Sequence, residues 1–62
     1  MKATELREID AEGLRAKALE IEDELFRLRI RKAMGQLEKP LVLREARRNL
    51  ARVKTVLREK AK

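Results

Sequence analysis

A chain of 62 residues, 45% of them charged, with one Phe and no Trp, Tyr, His or Cys, has room for a single domain and for little core, because so short a chain buries only a modest share of its surface. Lack of cysteine removes disulfide frameworks and thiolate metal sites, and no stretch approaches the roughly 20 apolar residues of a membrane span. The formal charge of +6 is unevenly spread. Residues 1–26 carry four basic and eight acidic groups, whereas residues 27–62 carry thirteen basic and three acidic ones, an electrostatic footprint for a polyanion.

Met1 to Ile9 contains Lys2, Glu5, Arg7 and Glu8 and no apolar run, so no secretion signal is expected and the cytoplasm is the expected compartment. The strong breakers are Gly13, Gly35 and Pro40. Asp10 suits a helix N-cap, with Glu12 in the first turn where a carboxylate favours the positive helix end. Gly13 then falls where a capping box would place Glu or Gln, so this helix start is expected to fray. Apolar residues recur at Leu14, Ala18, Ile21, Leu25 and Leu28, one helical stripe. Gly35 suits a left-handed C-terminal cap, and Pro40 has the fixed φ suited to the first position of a new helix.

The second long helix repeats the pattern with Leu43, Ala46, Leu50, Val53 and Leu57. A short joining segment, Met34 to Lys39, forces the helices antiparallel. The expected fold over residues 1–62 is therefore one all-α domain: an antiparallel two-helix hairpin, with long helices at about 10–34 and 40–60 after a short N-terminal helical turn.

At 100° per residue, Lys54, Arg47, Arg58, Arg44, Arg48 and Arg52 fall on one flank of the second helix, and Val42, Asn49, Val56 and Lys60 on the other. Solvated helices usually interleave the two signs, yet the basic flank has only Glu45 and Glu59 near it. Uncompensated like charge destabilises an isolated helix, so the pattern points to an anionic ligand, and guanidinium forks suit phosphate. Arg29 and Gln36 are expected to add to this contact near the turn, and Thr55 to offer a hydroxyl. On the first long helix, Leu19, Phe26, Ile30 and Ala33 form a second apolar line away from the seam. Either Leu6, Ile9 or Leu37 folds back over it, or Leu19, Phe26 and Ile30 meet a neighbouring molecule.

Catalysis is not expected. The chain has no His, Cys or Tyr, and it shows no nucleophile–base constellation, no metal-ligand spacing and no glycine-rich phosphate loop. No catalytic or metal-binding residue, no cofactor and no small-molecule substrate is called.

Taken in order along the chain, Glu5-Leu6-Arg7, Glu24-Leu25-Phe26, Leu28-Arg29, Gly35-Gln36-Leu37, Pro40, Arg44, Arg47-Arg48 and the run Ala51 to Leu57 resemble the bacterial large-subunit ribosomal protein family numbered twenty-nine. The likeness covers essentially the whole length. It implies a non-enzymatic constituent of the large ribosomal subunit that lies on ribosomal RNA near the nascent-chain exit, beside large-subunit protein twenty-three. A trigger-factor-type chaperone and the signal recognition particle would then dock nearby. Gly13, Met34 and Lys39 depart from the family pattern, which favours Glu, Thr and Asn there, and two of the three are expected to weaken helix caps.

Other classes fit less well. An RNA-independent coiled-coil interaction module should be charge-balanced. A basic-zipper DNA binder needs an unbroken helix, which Gly35 and Pro40 interrupt. A membrane-surface helix wants aromatic anchors on its apolar side, and only Phe26 is available.

Overall fold

The computed structural model describes residues 2–37 and 39–61. Three helices follow one another: α1 (Ala3–Arg7), α2 (Ala11–Ala33) and α3 (Pro40–Ala61). α2 and α3 form the antiparallel hairpin, α1 packs on α3, and the principal extents are 41 × 17 × 14 Å. The all-α hairpin expected from the apolar periodicity is the fold observed, with each boundary within one residue of its expected place.

Five residues make too short a helix to persist in water, since nucleation costs more than one turn returns. α1 therefore depends on tertiary contacts. Leu6 is 1% exposed, and burial of such a side chain contributes about 1.5–3 kcal/mol. The Arg7 guanidinium donates to both carboxylate oxygens of Glu59, and Lys60 Nζ donates to the Arg7 carbonyl at 3.0 Å. That carbonyl stands at a helix C-terminus, where a cation is favourable.

The turn from α1 into α2 adds a packing reason for Gly13 to the capping expectation. Asp10 caps α2, its Oδ1 accepting from the Gly13 N–H at 2.9 Å. A Cβ on Gly13 would stand 2.7 Å from Ile9 Cγ2 and 2.8 Å from that capping oxygen. Glycine has no side chain to return a capping-box bond, but it has a packing role. It lets the Ile9 side chain and the Asp10 carboxylate close over the helix start together.

At the other end of α2, the Gln36 N–H donates to the Arg31 carbonyl and the Gly35 N–H to that of Lys32, while Gly35 takes φ +71°. This paired return of N–H groups to the last-turn carbonyls ends the helix through a left-handed residue. Pro40 opens α3 as expected; Lys39 before it carries no side-chain acceptor for a cap. Glu38 in the connection lies outside the described residues.

The core forms two clusters. Leu6, Leu14, Ala18, Ile21, Val53 and Val56 fill the open end, with Ile9, Leu50 and Leu57 against them. Leu25, Leu28, Leu43 and Ala46 fill the loop end, with Leu37, Val42 and Leu50 alongside. Leu50 is half-buried and touches both clusters. Val56, placed by the wheel on a mixed flank outside the seam, is buried because α1 covers it.

Candidate nucleic-acid interface

α3 is a continuous helix of 22 residues, and every basic residue assigned to its flank, Arg44, Arg47, Arg48, Arg52, Lys54 and Arg58, is exposed. Lys54 Nζ lies 3.4 Å from Glu22 Oε1 on α2. This contact fixes one edge of the helix–helix seam. Moving away from it at 100° per residue, Lys54, Arg47, Arg58 and Arg44 follow round α3, and Arg29, Phe26 and Leu19 follow round α2. Because the helices run antiparallel, both sets lie on the same side of the hairpin, here called the front face.

α1 packs on the back, against Val56. The basic row therefore runs round about 160° of the helix, from the α2 border at Lys54 to the α1 border at Arg52. Arg48 and Arg52 turn the corner. With Glu45 and Asn49 they line a shallow depression of about 350 Å³, and Arg52 also borders a smaller one with Ala3, Arg7 and Thr55. What the wheel presents as one flank is thus two adjoining surfaces, and among the described residues Glu22 is the carboxylate in contact with the front one, whereas Glu45 and Glu59 border the other.

Between the arginines lie two small residues, Ala51 and Thr55, both exposed. Arg47, Arg48, Arg44 and Arg58 surround Ala51 at helical spacings of three, four and seven. Small side chains there keep this part of the surface low, and both line the depression that Arg7 and Glu59 also border. The Thr55 hydroxyl donates to the Ala51 carbonyl at 2.8 Å, so its proton is engaged and its oxygen remains available as an acceptor, suited to a ribose hydroxyl.

Arg29 joins the front face, but Gln36 does not stand beside it. Gln36 borders a depression of about 300 Å³ with Leu28, Arg31, Leu37, Lys39 and Val42, on the back of the loop end. The sequence placed Gln36 near the turn correctly and could not tell which side it faced.

The second apolar line remains open within the chain. Leu19 is 67% exposed, Phe26 62% and Ile30 43%. Leu6 and Ile9 pack into the open end of the seam and Leu37 into the loop end, so none of them covers it.

Against known proteins, the family described as "Ribosomal L29 protein" matches residues 4–60. The chain belongs to that ribosomal L29 family. It is 55% identical over 60 residues to the large ribosomal subunit protein uL29 of Desulforudis audaxviator, covering 97% of this chain and 90% of the relative. Its identity to the same-named protein of Syntrophus aciditrophicus is 53%, over 97% and 92% of the two chains, and to that of Exiguobacterium sp. 52%, over 97% and 90%. The L29 family is structural and non-enzymatic, in keeping with the absence of any nucleophile–base pair from the sequence. Among the described residues no group of acidic side chains is arranged to hold a metal ion, and no helix is long and apolar enough to cross a membrane.

Proposed function

We propose that this chain, by its family a structural constituent of the large ribosomal subunit, grips large-subunit ribosomal RNA with the front face of α3. Arg44, Arg47 and Arg58 are the main phosphate contacts, with Lys54 and Arg29 at the seam and Arg48 and Arg52 at the far edge. The observation that carries this reading is a row of exposed arginines along one side of a single helix, with the small residues Ala51 and Thr55 among them. Contacts of this kind read backbone and shape, which suits an RNA helix whose deep groove side chains cannot enter.

Leu19, Phe26 and Ile30 would meet a neighbouring ribosomal protein, in the family's expected position large-subunit protein twenty-three by the nascent-chain exit. Their exposure supports this, together with the packing of Leu6, Ile9 and Leu37 into the seam instead of over them. The surroundings would then form part of the docking ground for a trigger-factor-type chaperone and the signal recognition particle, and the chain's place of work would be the cytoplasmic ribosome.

Sedimentation tests the main claim. The chain should travel with large ribosomal subunits at low salt and leave them at high salt, and Arg44→Gln with Arg58→Gln should lower the salt needed. Sedimentation of that double variant with wild-type salt resistance would remove the front face from the RNA contact.

A further inference from the structure

On α2, Glu22 and Arg29 are seven residues apart; on α3, so are Lys54 and Arg47. Seven residues are almost two full turns of an α-helix. In an antiparallel pair, stepping two turns towards the loop on both helices reaches positions related to each other as the starting pair is. Glu22 and Lys54 are in contact across the seam edge; Arg29 and Arg47 therefore face each other at the same edge, two turns nearer the loop. An attractive contact at one level becomes a repulsive one at the next.

Among the described residues no carboxylate relieves it. The helical neighbours of Arg29 three and four residues away are Leu25, Phe26, Lys32 and Ala33, and those of Arg47 are Leu43, Arg44, Leu50 and Ala51; neither set contains a carboxylate. Both arginines are exposed, and among the described residues neither takes part in an ion pair. Two guanidinium groups on different helices, aimed at one edge and backed by Arg44, form a fork for a single phosphate.

The geometry points to Arg29 and Arg47 as an inter-helix phosphate clamp, in which one backbone phosphate of the bound RNA takes the place that a carboxylate occupies at Glu22–Lys54. This rests on the RNA reading above and adds a consequence to it. Binding at the clamp turns a repulsive pair into a bridged one, so RNA tightens the hairpin as well as holding it.

The test exploits opposite signs. Arg29→Glu recreates at this level the arrangement of Glu22 with Lys54. The free variant should melt about 2–5 °C higher in low salt, as expected for one surface pair gained and one repulsion lost in so small a domain. Its affinity for bacterial large-subunit ribosomal RNA should fall roughly tenfold or more, the share of one phosphate contact. Arg47→Glu should mirror it, and the double variant, with two carboxylates facing, should lose the gain in melting temperature. Arg29→Gln should reduce the salt slope of RNA binding by about one unit, whereas Arg27→Gln, the same charge change beside Asp23 away from the edge, should leave it unchanged. A lower melting temperature for Arg29→Glu, or additive effects in the double variant, would show that the two arginines do not face each other. Loss of RNA affinity in Arg44→Gln/Arg58→Gln but not in Arg29→Gln would overturn the clamp and leave the RNA face standing; loss in neither would overturn both.

Discussion

Arg7 reaches across 52 positions of sequence to Glu59, its Nε and Nη2 each 3.2 Å from a different carboxylate oxygen. The fork holds α1 to the last turns of α3. Its hydrogen bonds to Glu59 raise the pKa of Arg7, and the same bonds lower that of Glu59 below the ordinary carboxylate value. Since the folded carboxyl is the more acidic, the contribution of the pair is present above the ordinary carboxylate pKa and is lost as pH falls through the depressed one. Glu59→Gln should lower the melting temperature at neutral pH and make no difference in strong acid. A gap between the two proteins that persists in acid would assign the effect to something other than this charge.

Leu6 is the apolar anchor of the same contact. Leu6→Ala removes a fully buried side chain, a change that costs about 2–5 kcal/mol in a core. In a domain this small that is a large part of the total stability. The variant should lose cooperative thermal melting by circular dichroism, with Val56 newly exposed to solvent.

Gly13→Ala separates propensity from packing. On propensity alone it should stabilise α2 by about 1 kcal/mol. The Cβ, however, meets Ile9 and the capping oxygen of Asp10, so a lower melting temperature is expected. A higher one would show that the α1–α2 turn relaxes freely.

Gly35→Ala fails for a different reason. Space is open around it, but an L residue at φ +71° costs about 1–2 kcal/mol. Stability should drop by about that amount in denaturant titration, whereas Gly35→Asn should recover part of it, because asparagine tolerates this region.

Phe26→Ala should scarcely move the melting temperature of the free protein, since the residue is 62% exposed. Its incorporation into large subunits, measured in competition with the unaltered chain, should fall. Destabilisation of the free protein instead would place the ring in an internal contact.

Periodicity made both stripes and both long helices legible, because burial along a two-helix seam imposes a spacing of three and four that little else produces. Asp10, Gly35 and Pro40 carried their own boundary signals. What the sequence withheld was the third dimension round each helix. Val56 looks peripheral until α1 is laid over it, and α1 is too short to announce its destination. Gln36 and Arg29 are close in sequence, yet the turn sends them to opposite sides. The basic row appears continuous on a wheel, which has no marker for where α2 and α1 border it. Gly13 suggests a weak helix start by residue type, and only the position of Ile9 reveals what glycine is for.

The division of the apolar interior into two clusters joined at Leu50 has a dynamic consequence. The loop end rests on four buried side chains and the open end on six, each set with one alanine, and the open end has the added weight of α1. Openings of the native state begin where cohesion is least, so backbone amides of Leu25 to Ile30 and Leu43 to Arg47 should exchange with deuterium sooner than those of Ala18 to Glu22 and Val53 to Leu57. The faster-exchanging half is the one that carries Arg29 and Arg47. If the proposed RNA contact forms there, slow exchange of that half would be conferred from outside, and the free protein would keep one firm end and one that breathes.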